Sequence, residues 1–125
     1  MSENTEIRAA LESLAAEPLS EQIDYYRKPF MVLWAAIQEA ASGVAEDYDL
    51  PTDMAHLWVA EQMRQVADSL VDRLAEKAVS RGASKSNVAR AAGASPANAM
   101  RRFPRLKDDS AQTRLLIDDV LDTLE

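Results

Sequence analysis

The stretch that decides the fold is Ser84–Phe103, SKSNVARAAGASPANAMRRF, which carries the signals of two short helices joined by a tight turn. Its first serine can cap a short helix, and Gly93 can take the positive φ that a sharp turn requires. Ser95 can cap the next helix, and Pro96 occupies its first position, where the missing amide costs nothing. We therefore predict a second helix over residues 96–103, ended by the proline that follows.

The composition of the 125-residue chain favours helices throughout. Apolar residues make up 47% and charged residues 28%, as in folded globular proteins. Alanine, the best helix former, is abundant, whereas only 3 glycines and 5 prolines are present to interrupt helices. We predict an all-α protein, a helical bundle with a long central helix and with residues 84–103 near its C-terminal end.

Apolar spacing and capping residues predict five further helices. They extend from Asn4 or Thr5 to Pro18, over Ser20–Lys28, from Phe30 to Ser42 or as far as Asp47, from Asp49, Thr52 or Asp53 to about Ser80, and from Asp109 or Ser110 to the C-terminus. Pro29 is expected to separate the second from the third, because proline clashes with the preceding turn of a helix. Phe30–Ile37 is apolar on most sides, so we expect this helix to be buried within the monomer or between subunits.

Basic residues are concentrated around the deciding segment. Residues 81–107 contain seven lysines and arginines and no acid, although the whole chain has a net charge of −7. The other seven basic residues and all 21 acids lie outside this window, so the remainder carries −14. Local charge decides which surface attracts phosphates, and the acidic remainder would repel DNA. The charge pattern therefore predicts a nucleic-acid-binding segment in an otherwise acidic chain.

The segment VARAAGASPANAMRRF resembles the helix-turn-helix of bacterial transcriptional regulators, which commonly reads xxIAxxLGVSxxAxxxRF. The shared features are a small residue four places before Gly93, an apolar residue directly after it, the Ser95 cap, and Ala99 six places beyond the glycine. The resemblance covers about 20 of the 125 residues and implies a DNA-binding motif rather than a particular regulator. Ala92 and Ala94 stand where the family has larger Leu and Val, so we expect neighbouring helices to complete the core.

In such a motif the second helix enters the major groove of duplex DNA. Asn98 and Arg101 are the candidates for base readout, because Asn can bond adenine, and Arg guanine, through two hydrogen bonds. Arg102 and Arg105 are expected to contact phosphates. Polar groups near the helix starts are expected to do the same. The full candidate DNA-binding set is Ser84, Lys85, Ser86, Ser95, Ala97, Asn98, Arg101, Arg102 and Arg105.

We predict a sequence-specific transcriptional regulator that binds double-stranded DNA as a homodimer, in the cytoplasm on the nucleoid. Residues 1–80 would form the core and dimerisation region, residues 81–107 the DNA-binding motif, and residues 108–125 a C-terminal helix packed on the core or on the partner. Two alternatives are a non-specific architectural DNA binder and a protein-interaction module, such as an antitoxin, adaptor or anti-repressor. The second would contact a protein partner through the acidic N-terminal half.

The sequence offers little for catalysis or metal binding. Cysteine is absent and the lone histidine, His56, has no second ligand nearby, so neither a metal nor a cofactor is expected. No nucleophile–base set and no glycine-rich phosphate loop is present, which argues against an enzyme. The N-terminus does not resemble a signal peptide, and the longest apolar stretch is too short for a membrane span. Core packing, rather than an effector pocket, is expected for the aromatic residues Tyr25, Tyr26, Trp34 and Trp58.

Overall fold

The computed structural model describes residues 3–107 and 114–124, and these residues form helices and no β-strand. The predicted all-α class is therefore confirmed. The six α-helices within these ranges are α1 (Glu3–Ala16), α2 (Leu19–Tyr48), α3 (Thr52–Ser80), α4 (Lys85–Ala91), α5 (Ala99–Arg102) and α6 (Leu116–Thr123). Two short 3₁₀ helices, Pro96–Asn98 and Pro104–Lys107, flank α5. No helix in the two described ranges is both long and apolar enough to cross a membrane.

The chain divides into two compact units, and α3 belongs to both. Of the described residues, unit 1 comprises 3–17, 67–107 and 114–124, and unit 2 comprises 18–66. The boundaries predicted at residues 80 and 107 separate regions of different function rather than compact units. They stay a prediction.

α2 continues through Pro29, so the predicted break between two helices at this residue is wrong. A proline inside a helix removes one backbone hydrogen bond, here the bond to the carbonyl of Tyr25. The ring of Tyr26 stacks on that of Phe30 with centroids 5.6 Å apart, and the Tyr26 hydroxyl donates to Gln22 at 3.2 Å. The ring contact joins side chains on the two sides of the proline, and the hydrogen bond holds Tyr26 in the turn before it, so both help to offset the lost bond.

α2 ends at a left-handed residue that is not glycine. Asp49 has a φ of 54°, and the amides of Asp49 and Leu50 both donate to the carbonyl of Ala45, the latter at 3.1 Å. Aspartate adopts this conformation more readily than most residues with a side chain. The chain then turns through Pro51 into α3, whose amide at Ala55 donates to the Pro51 carbonyl at 3.0 Å.

Unit 2 is a helical hairpin with a small core. The buried side chains of this core come from both helices and are Ile37, Ala41, Ala55 and Val59. By contrast, the side chains of Phe30–Trp34 are all 45–66% exposed. Burial of the predicted apolar helix within the monomer is therefore wrong for these five residues, and its burial between subunits stays a prediction.

The second half of α3, α4 and the segment around α5 enclose the core of unit 1. Its buried members are Ala75, Val88 and Phe103, with half-buried Val71, Ala78, Val79, Ala83, Ala92 and Leu106 around them. α3 ends where Gly82 takes a φ of 104° and its amide donates to the carbonyl of Val79 at 3.0 Å. The glycine is needed here because the left-handed conformation is costly for a residue with a Cβ.

α6 is held to α3 by one arginine. Arg73 donates to the carboxylate of Asp118 from Nη2 at 2.5 Å and from Nε at 3.3 Å. Ile117 is buried, whereas Leu116, Leu121 and Leu124 are exposed. The predicted caps of this helix, Asp109 and Ser110, lie outside the described residues.

Candidate nucleic-acid interface

α4 begins and ends with the caps that its sequence predicts. The Ser84 hydroxyl accepts a hydrogen bond from the amide of Asn87 at 3.1 Å. Gly93 has a φ of 76°, its amide donates to Arg90, and the amide of Ala94 donates to the carbonyl of Ala89 at 2.8 Å. This pair of bonds is the Schellman arrangement, which satisfies the last carbonyls of a helix through a left-handed residue. The turn after α4 is therefore fixed by backbone bonds rather than by packing alone.

The element after the turn is shorter and less regular than predicted. Instead of one helix over residues 96–103, Pro96–Asn98 is 3₁₀ and only Ala99–Arg102 is α-helical. The Ser95 side chain caps no backbone amide, because its hydroxyl instead accepts a bond from the Asn98 side chain at 3.0 Å. Phe103 leaves the helix with a φ of −128° and ψ of 69°, since the proline that follows disfavours the α conformation before it.

Small and large side chains alternate where α4 meets the element after the turn. Ala89 and Ala99 are buried and allow the two backbones to approach closely. Val88 and Phe103 are also buried and, in one cluster, extend the contact to Ala75 of α3. The expected thin core of the segment is thus completed by α3.

The N-terminus of α1 docks on α4, which the sequence did not predict. The Asn4 side chain donates to the carbonyl of Gly82 at 3.2 Å and accepts from the amide of Ser84 at 3.1 Å. The Asn4 carbonyl accepts from the side chain of Asn87 at 2.7 Å, and Asn87 is buried. In the sequence, asparagine at a helix start indicates only an N-cap. Nothing in the sequence pattern indicated this distant partner.

The basic residues of the segment fall into two groups. Lys85 and Arg101 are exposed, and no acid in residues 3–107 or 114–124 pairs with them. Arg105, by contrast, donates from Nε to Glu76 at 2.6 Å, and Arg102 lies 3.5 Å from Asp72. The two arginines assigned to phosphates therefore contact carboxylates of α3 in this structure.

The ion pairs Arg102–Asp72 and Arg105–Glu76 differ in strength. Arg102 keeps 35% of its side chain exposed, is at the limit of hydrogen-bond distance, and lies with its guanidinium 4.5 Å from the centre of the Phe103 ring. Arg105 and Glu76 are less exposed and much closer. A phosphate can displace a weak surface pair at low cost, whereas separating a largely desolvated pair is expensive.

Of the predicted site residues, five are exposed on the two elements: Lys85, Ser95, Ala97, Asn98 and Arg101. Ser84, Ser86, Arg102 and Arg105 are half-buried.

On the α1 side, Arg8 donates to Glu12 at 2.9 Å and lowers the pKa of that carboxyl, with a smaller attraction from Arg90. Arg90 also donates to Asn87 at 2.9 Å, so it supports the cap region of α4.

The residues weighed for other chemistry lie elsewhere. His56 has Nδ1 2.8 Å from the carbonyl oxygen of Thr52 and stacks on Trp34 with ring centroids 5.5 Å apart. No group of three or more potential metal-binding side chains lies together in the part of the chain that the structure describes. An open apolar groove lies beside Trp58, and its other lining residues are Val44, Tyr48 and Leu50.

Comparison of the chain with models of protein families, with curated proteins and with solved structures gives no match.

Proposed function

We propose that the chain binds double-stranded DNA through residues 84–103 and acts as a sequence-specific transcriptional regulator of the helix-turn-helix kind. The observation that carries this proposal is the turn at Gly93. It joins two short elements that share a core with α3 and leaves Ser95, Asn98 and Arg101 in solvent. An exposed polar face on a firmly held turn is what readout of a groove requires.

The charge distribution supports the same proposal. Lys85 lies in the first turn of α4 and Arg101 in α5, and both ammonium and guanidinium groups are available to anions. Phosphate contacts supply most of the sequence-independent affinity of such proteins. The acids paired with Arg102 and Arg105 reduce that affinity, so Lys85 and Arg101 are expected to contribute a large share of it.

The roles of the individual residues follow from their exposure. Arg101 and Asn98 are the proposed readers of base edges, and Lys85 with Ser84, Ser86 and Ser95 the proposed backbone contacts. Arg102 is proposed to exchange Asp72 for a phosphate on binding, because that pair is long and partly solvated. Arg105 is proposed to position the chain after α5 through Glu76 rather than to contact DNA.

A single copy offers few contacts, because the readout element covers only residues 96–102. Regulators with such small elements reach useful affinity by binding two half-sites about one helical turn apart, roughly 34 Å. We propose that this chain also binds as a homodimer.

The test is to select bound fragments from random DNA and then to measure variants on the selected site and on unrelated DNA. Arg101→Ala should weaken the selected site by about tenfold or more and unrelated DNA by less. Lys85→Ala should weaken both about equally and reduce the salt dependence by about one counterion. Arg27→Ala, on an exposed arginine of unit 2, is the control and should change neither. If both site variants bound DNA like the parent in moderate salt, the proposal would fail.

A non-specific architectural DNA binder is the second candidate. The observation that favours it is the small side chain of Ala97 and the ring of Pro96, which leave few long side chains on the exposed face. Competition with unrelated DNA separates the two, because a specific binder should prefer its site by a factor of about a thousand or more.

A further inference from the structure

We infer that unit 1 binds a small carboxylate with an apolar tail, and that Arg102 holds the carboxylate group. The tail lies in an open groove of about 400 Å³, the α3–α4 groove, between the second half of α3 and the C-terminal end of α4. Residues of these two helices that line the groove are Val71, Leu74, Ala78, Val88, Ala91 and Ala92. The binding site belongs to unit 1 alone, whereas its effect on DNA rests on the proposed function.

The α3–α4 groove is apolar and is not filled by its own side chains. Buried core residues, Ala75, Val88 and Phe103, form its floor. Beside them, Ala78 and Ala92 present only methyl groups. The regulators that residues 84–103 resemble commonly have leucine at the position of Ala92, so this chain lacks a side chain that would fill part of the space. Because apolar atoms at a void lose packing contacts, an apolar ligand there restores them.

The volume of the α3–α4 groove sets the size of the tail. An apolar cavity of about 150 Å³ holds one benzene molecule. At the same filling, the groove holds roughly 16 carbon atoms, and a tail of about eight to twelve is expected because one side is open to solvent. Ligand pockets in proteins are typically about 300–1,000 Å³, so the groove is large enough for a small molecule.

Arg102 supplies the charge that recognises the carboxylate. Among the described residues that line the α3–α4 groove, only this one is charged. Its guanidinium lies 4.5 Å from the centre of the Phe103 ring, and its Nη1 is 3.5 Å from a carboxylate oxygen of Asp72. Within residues 3–107 and 114–124, no other hydrogen bond or ion pair engages this guanidinium, although arginine has several N–H donors. A carboxylate can therefore accept two parallel hydrogen bonds from it.

This arrangement selects an anion over other ligands of the same shape. A carboxylate gains charge-assisted hydrogen bonds to Arg102, an alcohol gains only a weaker one, and a quaternary ammonium is repelled. The carboxylate has to displace the contact of Arg102 with Asp72. The cost is low because that pair is long and its two side chains are 35% and 33% exposed.

The first experiment is a titration of the full chain, followed by amide chemical shifts, with ligands that differ in one part. Octanoate should bind with a dissociation constant on the order of 1 millimolar and about tenfold more tightly than octanol. Octyltrimethylammonium and acetate, which lack the anion and the tail respectively, should bind more weakly still. The largest shifts with octanoate should occur around Val88, Ala92 and Phe103.

The second experiment separates the head group from the tail with two variants. Arg102→Gln should weaken octanoate by about tenfold, to the level of octanol, and leave octanol unchanged. Ala92→Leu should weaken both ligands by about tenfold, because its side chain occupies the groove. Arg81→Gln is the matched control, since Arg81 is an exposed arginine of unit 1 that does not line the groove, and it should bind octanoate like the parent.

The third experiment measures affinity for the selected DNA with octanoate near saturation. If Arg102 also contacts a phosphate, octanoate should lower this affinity by about fivefold, and the DNA should weaken octanoate by the same factor, because coupling between two ligands is reciprocal. Acetate at the same concentration is the control for salt and should have a smaller effect.

Three outcomes overturn the inference. They are octanoate that binds no more tightly than octanol, an Arg102→Gln variant that keeps the preference for octanoate, and shifts that fall on unit 2 rather than on the α3–α4 groove. Octanoate that binds as expected to a chain without affinity for DNA would leave the site standing and contradict the proposed function. A chain that binds the selected DNA but not octanoate would have the opposite meaning.

Discussion

The Nε atom of Arg105 donates a 2.6 Å hydrogen bond to Glu76, whose carboxylate also accepts from Arg73 at 2.7 Å. The Glu76 side chain is only 8% exposed, and Arg73 continues the chain of contacts to Asp118 on α6. One carboxylate on α3 thus connects, directly or through Arg73, to the turn after α5 and to α6. These ion pairs support the segment that carries the proposed site.

Glu76→Gln should lower the free energy of unfolding by about 1–3 kcal/mol, because it removes the largely desolvated negative charge that Arg105 and Arg73 both contact, while Arg73 keeps its pair with Asp118. Urea-induced unfolding of the full chain measures this change. Asp24→Asn is the control, since Asp24 pairs with Arg27 on an exposed helix face, and it should change stability by less than about 0.5 kcal/mol. Equal effects of the two variants would contradict the role given to Glu76.

The attachment of α6 should weaken in acid. The hydrogen bonds that Asp118 accepts from Arg73, and then from the Leu115 amide, lower the pKa of its carboxyl. A group with a lowered pKa in the folded state stabilises that state above the unfolded pKa of about 3.9, and the contribution disappears as the pH falls through the folded pKa. Parent stability should therefore decrease below about pH 4.

The variant Asp118→Asn isolates this group. It should be less stable than the parent at pH 7, and the difference should shrink as the pH falls below about 4, because the parent then carries a neutral side chain as well. Urea unfolding of both chains over this range gives the comparison. A difference that stayed constant down to pH 2 would show that the charge of Asp118 contributes nothing.

Local signals predicted the turns because the residues that decide them are adjacent in sequence. Gly93 and Ser84 took the predicted roles, since positive φ and a helix cap depend on the next few residues. Pro29 does not separate two helices as predicted, because the contact between Tyr26 and Phe30 on either side of it favours one continuous helix. Residues 96–98 are 3₁₀ rather than α-helical, and Ser95, expected as a cap, accepts a bond from the side chain of Asn98 rather than from a backbone amide.

Long-range partners could not be predicted from one sequence. Asn4 and Ser84 are 80 residues apart, and Glu76 and Arg105 are 29 apart, and no periodicity records which polar groups will meet. Of the candidate DNA-binding residues, Lys85 and Arg101 lie exposed, whereas Arg105 bonds an acid on another helix that the sequence did not indicate.

Two glycines should respond to the same substitution in opposite directions. Gly93→Ala places a Cβ on a residue with a φ of 76°, which costs about 1 kcal/mol, although no atom lies within 4 Å of the new carbon. Gly43→Ala lies inside α2 and also meets no atom within 4 Å, so it should raise stability by about 0.5–1 kcal/mol through helix propensity. Urea unfolding of each variant measures the two changes.

The same pair separates stability from binding. Gly93→Ala displaces the turn that orients Ser95, Asn98 and Arg101, so its loss of affinity for the selected DNA should exceed what its loss of stability explains. Gly43→Ala should bind that DNA like the parent, because Gly43 belongs to unit 2 whereas the readout element belongs to unit 1. If Gly93→Ala bound DNA as tightly as Gly43→Ala while fully folded, the turn would not be orienting the proposed readout residues.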